Sequence, residues 1–194
     1  MSGISSVCVY CGSSDGRSES LRRAAADFGR ILAGDNIRLV YGGGKVGLMG
    51  IVADAVLAAG GAVTGIIPHF LDAAERAHLS VTELVRVDSM HERKTAMFER
   101  SDAFVALPGG LGTLDEVIEV ITWRQLGLHD KPILFANFED YWRPLQALVE
   151  ATIAAGFARP RVQDLYRFVD RAEQILPAIT EIRARAVAAQ PDRL

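Results

Sequence analysis

Short apolar runs alternate along this chain with longer stretches in which apolar residues recur every three or four positions. The runs Ser6–Tyr10, Arg38–Tyr41, Ala62–Ile67, Glu83–Val87, Ala103–Leu107 and Ile133–Phe135, with a short last one at Arg167–Val169, have the length of strands. Several are apolar almost throughout, as expected of strands covered on both faces. The periodic stretches predict helices over Ser18–Ala33, Gly47–Ala59, Met90–Ser101, Leu114–Leu126, Tyr141–Ala155 and Ala172–Ala188. Alternation of the two patterns builds β-α units, so the expected fold is α/β, a doubly wound, mainly parallel sheet of about seven strands flanked by helices. No internal repeat or linker divides the chain, which predicts one domain over 1–185 and a frayed tail over 186–194.

Composition narrows the partners. With 194 residues, 49% hydrophobic and 23% charged, the chain is long enough to bury one sizeable core. A net charge of −3 gives no basic field for a nucleic-acid polymer, so a small ligand is expected. The opening Met1–Ser6 lacks a basic region followed by an apolar stretch, and no apolar run is long enough to span a bilayer, which predicts a cytoplasmic protein with no membrane contact. The only cysteines, Cys8 and Cys11, form a CxxC within an extended stretch from Ile4 to Cys11 that contains the first strand, where residues three apart point to opposite faces. Neither a redox pair nor a zinc site is expected from them.

Doubly wound sheets bind ligands beyond the carboxyl ends of their strands, and that is where the unusual residues lie. Gly42-Gly43-Gly44-Lys45-Val46-Gly47-Leu48-Met49-Gly50 follows the second strand, and Pro108-Gly109-Gly110-Leu111-Gly112-Thr113 follows the fifth. Glycines at a strand-to-helix junction let backbone N–H groups approach an anion, and the helix dipole favours it; a tight turn would use the same residues for its own geometry. Gly42, Gly44 and Gly47 satisfy GxGxxG, but Ile66-Ile67-Pro68-His69 stands where a ribose-binding acid belongs, and Lys45 fails the P-loop spacing. Glu116 follows the second loop by one turn. With Thr113 as N-cap it completes a capping box, and a carboxylate there equally suits an oxocarbenium-like transition state or an attacking water. Arg93 and Lys94 place cations in the first turn of a helix, against its dipole, which fits either an anionic partner or a solvated face balanced by Glu92 and Asp88. His91-Glu92 lacks the second histidine of HExxH, so no metal is expected.

Taken together, Cys11-Gly12-Ser13-Ser14, Gly42–Gly50, Met90–Lys94, PGGxGTxxE from Pro108 to Glu116, and Glu119-Val120-Ile121-Thr122-Trp123 closely resemble the Lonely Guy family of cytokinin riboside 5′-monophosphate phosphoribohydrolases. The resemblance spans nearly the whole chain. It implies a Rossmann-like subunit that hydrolyses the N-glycosidic bond of an N6-modified AMP, without a cofactor, as a homodimer. It implies Arg93 and Glu116 as catalytic residues. Substrate contacts are implied at Glu75, Arg93, Lys94, Gly110, Leu111, Gly112, Thr113, Leu114, Asp115, Glu116 and Thr122, with further phosphate or ribose contacts expected at Ser13, Gly43, Gly44 and Gly109. Leu111 stands where many relatives have Tyr, and Asp115 where some have Glu. Two rival readings go with the same glycine motif. One is a non-catalytic nucleotide or molybdenum-cofactor carrier; the other is a lysine decarboxylase, for which the chain offers only Lys45, Lys94 and Lys131.

Overall fold

A computed structural model describes residues 3–72 and 76–188. Its strands are β1 (Ser6–Tyr10), β2 (Arg38–Tyr41), β3 (Val63–Pro68), β4 (Glu83–Val87), β5 (Ala103–Ala106), β6 (Ile133–Ala136) and β7 (Arg167–Val169). They form one sheet in the order β4-β3-β2-β1-β5-β6-β7, and every pairing is parallel. The chain starts at the centre, winds outward to β4, then crosses to β5 beside β1. The doubly wound α/β fold expected from the apolar pattern is therefore present, with its switch point between β1 and β5.

The helices are α1 (Glu19–Gly34), α2 (Gly47–Ala58), α3 (Met90–Glu99), α4 (Leu111–Gln125), α5 (Arg143–Ala154) and α6 (Ile175–Ala188). Residues 189–194 of the expected tail lie outside the described residues. Strand side chains alternate between two apolar clusters, as the pleat requires. Val7, Val9, Leu39, Val105 and Leu134 pack on Phe28 and Leu32 of α1, Val52 of α2 and Ile175 of α6. Cys8, Tyr10, Val40, Phe104 and Phe135 pack on Met97 of α3 and on Val117, Val120 and Ile121 of α4. Cys8 and Cys11 are both buried and fall in different clusters, as the strand spacing predicted.

One boundary corrects the sequence reading. Helix α4 begins at Leu111 with Gly110 as its N-cap and no side-chain cap, three residues before the predicted start. Thr113 is therefore inside the first turn and caps nothing, so the expected Thr113–Glu116 capping box does not form. Its physical reason is the glycine itself, which starts a helix without leaving a polar cap to read.

Candidate active site

The loops after β1, β2 and β5 meet at the switch point. The Gly12 N–H donates to the Pro108 carbonyl at 3.1 Å, and the Met49 N–H to the Gly12 carbonyl at 3.3 Å, so the first loop is clamped between the other two. The approach is close enough that a Cβ at Gly109 would overlap the Thr113 side chain and one at Gly47 would overlap Ser13. These glycines are architectural. Gly110 and Gly112 are different: a Cβ on either would meet nothing within 4 Å, and neither has positive φ. Nothing in the chain itself demands glycine at those two positions, whereas a ligand lying against the backbone would.

Between the loops is a cleft of about 270 Å³. It is lined by Ser13, Arg93, Gly110, Leu111, Gly112, Thr113 and Glu116, and also by Val9, Cys11, Gly12, Gly42, Met49, Leu71 and Met90. At one rim the carbonyls of the Pro108-Gly109-Gly110 turn are all engaged. They accept from the Gly12 N–H (3.1 Å), the Tyr141 hydroxyl (2.6 Å) and the Leu114 N–H (3.1 Å) respectively. The N–H groups of Gly109 to Thr113 donate to no acceptor among the described residues. The rim thus presents donors at a helix N-terminus, where the dipole adds to them.

Arg93 and Glu116 are the buried charged residues of the cleft, 4% and 9% exposed. Arg93 enters from the first turn of α3. Its Nε donates to the Ile66 carbonyl at 3.1 Å and a terminal nitrogen to the Gly42 carbonyl at 2.6 Å. The first-turn cation is thus answered partly by two carbonyls at the ends of β3 and β2, which fix the plane of the guanidinium. Glu116 projects from α4 towards Cys8 and Tyr10 of β1. Burial pushes the Cys8 thiol and the Tyr10 phenol up, and the Glu116 carboxylate adds to both shifts. Both groups therefore stay neutral at pH 7 beneath the carboxylate.

The other expected contacts divide. Lys94 lies outside the cleft, its ammonium 3.2 Å from Asp115 of α4 and 3.2 Å from Glu119. Partial burial opposes its charge, but these two carboxylates hold its pKa above the ordinary lysine range. Thr122, farther along α4, donates to the Ile118 carbonyl at 2.8 Å and is exposed. Leu114 packs against the apolar cluster beneath α4. Gly43 and Gly44 hold the β2 loop, Gly43 with φ +79° and its carbonyl accepting from the His78 N–H, Gly44 bridged to Ala77. Glu75 lies outside the described residues. Gly12, Gly42, Leu71 and Met90 line the cleft without having been singled out as contacts. Gly42 directly follows β2 and Gly12 stands two residues beyond the end of β1, positions that do flag them; Leu71 and Met90 are ordinary apolar residues and carry no such signal.

A family model described as "Possible lysine decarboxylase" matches residues 49–179. The chain is 44% identical over 175 residues to a cytokinin riboside 5′-monophosphate phosphoribohydrolase of Arabidopsis thaliana, covering 90% of this chain and 81% of the relative. It is 48% identical over 156 residues to a protein of the same name from Rhodococcoides fascians, covering 80% and 79%. The molybdenum cofactor carrier protein of Chlamydomonas reinhardtii superposes with a TM-score of 0.69 over 92% of this chain and 98% of its own, at 17% identity. That last likeness is one of fold.

Proposed function

The chain belongs to the cytokinin riboside 5′-monophosphate phosphoribohydrolases, and from that membership we propose how its switch-point cleft cleaves the base–sugar bond of an N6-modified AMP. The reaction releases the free base and ribose 5-phosphate. Water forms a bond to C1′ while the C1′–N9 bond breaks; its electron pair leaves with the base, which gains a proton as the water loses one. The observation that carries the reading is the buried pair of Arg93 and Glu116 in the same cleft as a rim of backbone donors.

The N–H groups of Gly110 to Thr113 hold the 5′-phosphate at the start of α4. One turn on, Glu116 faces the ribose, offsets the positive charge that develops at C1′ and takes the proton of the attacking water. Arg93, fixed by two carbonyls, offsets negative charge on the phosphate or the departing base. Phosphate binding remote from the bond holds C1′ in the reactive position, so the riboside is a far poorer substrate. Leu71, Met90 and Leu111 give the cleft apolar surface, which favours an N6-alkyl base over plain adenine.

Lysine decarboxylation, the activity by which the matching family model is described, calls for a different chemistry, and the residues do not fit it. Pyridoxal chemistry needs a lysine at the site. Lys94 is held by two carboxylates, Lys131 lies over the Phe98 ring and donates to the Phe98 carbonyl, Lys45 is exposed, and none of the three lines the cleft. A carrier needs the donor rim but has no use for a buried carboxylate beside the sugar.

Among the described residues no helix is long and apolar enough to cross a membrane. We place the enzyme in the cytoplasm, where a buried thiol such as Cys8 stays reduced. It works as a homodimer, in which Lys94, Asp115 and Thr122, all outside their own cleft, serve the partner's.

The test is chromatographic, scoring free base and ribose 5-phosphate from AMP, N6-isopentenyl-AMP and the matching ribosides. Wild type cleaves the monophosphates and is fastest on the alkylated one. Glu116→Gln lowers kcat by about 10²–10⁴-fold while ribose 5-phosphate still binds. Equal cleavage of riboside and monophosphate, cleavage of neither, or wild-type turnover by Glu116→Gln would falsify the reading.

A further inference from the structure

The Gly109–Gly110 peptide is held from behind by a residue distant in sequence. Tyr141 lies just beyond β6 and does not line the cleft, yet its hydroxyl donates to the Gly109 carbonyl at 2.6 Å across 32 residues. A trans peptide is planar, with its C=O and N–H pointing opposite ways. Fixing the Gly109 oxygen on the side of Tyr141 therefore turns the Gly110 N–H to the other side, where Gly110 lines the cleft. We propose that Tyr141 is a positioning residue for the substrate phosphate, aiming the Gly110 N–H through its hold on the Gly109 carbonyl.

The segment that presents Tyr141 is costly in a way that packing alone does not require. Glu139 and Asp140 are consecutive non-glycine residues with φ of 54° and 59°, a left-handed conformation that L side chains rarely adopt. Each is braced. The Glu139 carboxylate accepts from the Ser18 and Ser20 hydroxyls at the start of α1, and the Asp140 carboxylate accepts from the Asn137 amide at 3.1 Å. Asn137 also accepts from the Trp142 N–H at 2.8 Å, and the Trp142 indole, 3% exposed, stands edge-on to Phe135 of β6 and to the Tyr141 ring. The sheet, α1 and the turn together brace the backbone that carries Tyr141, and the Trp142 edge is the ring contact of a phenol that is otherwise 40% exposed. Strain maintained by such bracing is characteristic of segments that position a functional group.

This role rests on the phosphate reading of the donor rim, and the experiment separates the two. Tyr141→Phe keeps the ring on Trp142 and removes only the hydroxyl. The variant and wild type are compared by kcat/KM on AMP and on adenosine, and by calorimetric binding of ribose 5-phosphate. One lost hydrogen bond is expected to lower kcat/KM on the monophosphate about five- to tenfold, mainly through KM, and to weaken ribose 5-phosphate by the same factor. Cleavage of adenosine and the melting temperature should not move, which a merely structural tyrosine would not allow. Unchanged ribose 5-phosphate affinity, or equal losses on adenosine and AMP, overturns the role of Tyr141. If wild type binds ribose 5-phosphate more tightly than the variant yet cleaves no monophosphate, Tyr141 stands and the hydrolase reading falls.

Discussion

At the scale of single residues the site turns on how Arg93 reaches its place. Its guanidinium crosses the end of β2 against Gly42, where a Cβ would overlap its terminal nitrogen and come within 3.1 Å of the Met49 sulfur. The clash is with the far end of a flexible side chain, so the fold can accommodate it by moving that end. Gly42→Ala should therefore leave the backbone in place but displace the guanidinium from the Gly42 and Ile66 carbonyls, and because that charge is buried the lost acceptors should cost about 1–3 kcal/mol of stability. A shift of about 1 Å in a positioned group costs on the order of 10²-fold in rate. We expect kcat on an N6-modified AMP to fall by about that factor in a variant that still melts cooperatively, at a somewhat lower temperature; one that turns over like wild type contradicts this account of Gly42. Arg93 also shows what local sequence leaves undecided. A cation in the first turn of α3 signals a compensating partner, but the carbonyls that supply part of it belong to Gly42, just after β2, and to Ile66 of β3, 51 and 27 residues away.

Among elements, the central pair β1 and β5 is tied at its lower end by one carboxylate. Asp102, just before β5, accepts from the N–H and hydroxyl of Ser5 at 2.7 and 2.9 Å and from those of Ser6 at 3.1 and 3.2 Å. Partial burial opposes its charge, but these donors outweigh it and hold the carboxyl below the usual range. A depressed folded pKa stabilises the fold above the unfolded value, about 3.9, and that stabilisation is lost as pH falls through the lower folded value. Asp102→Asn should therefore cost about 1 kcal/mol at neutral pH and flatten the decline in stability below about pH 4. Denaturant melts at several pH values check both; an unchanged acid limb contradicts the assignment. The central strands were readable from the chain because a parallel sheet buries them on both faces, whereas the partly buried edge strands β4 and β7 were readable only as short runs of strand length. Ser6–Tyr10, Arg38–Tyr41, Glu83–Val87 and Arg167–Val169 have the same bounds in the sequence reading and in the structure. The start of α4 was not readable, since Gly110 caps it without a side chain, and Tyr141 was not, since its partner is a backbone carbonyl that no residue pattern encodes.

At the scale of the whole molecule, the switch point collects the cleft from loops widely separated in sequence, but it does not collect every residue the family implies. Asp115 and Thr122 share the outward stripe of α4 with Leu111 and Ile118, positions spaced four, three and four apart, which is one helical face. Leu111 is 84% exposed and Ile118 40%, while the opposite face buries Val117, Val120 and Ile121 in the subunit core. Lys94 joins this surface from α3 through its bonds to Asp115 and Glu119. A stripe that starts at the cleft rim with Leu111 and runs away from the cleft along α4, carrying implied substrate contacts at Asp115 and Thr122, fits a second copy of the chain whose cleft those two residues complete. Light scattering should then give a mass twice the 21.0 kDa of the chain. Ile118→Glu, which puts a charge in the middle of the stripe and leaves the cleft lining untouched, should shift the protein towards monomer. Its specific activity should then rise with protein concentration as dimer re-forms. A wild-type monomer with full activity, or an Ile118→Glu monomer as active as the parent, would show that each cleft is complete within one chain and that Asp115 and Thr122 serve only the surface of α4.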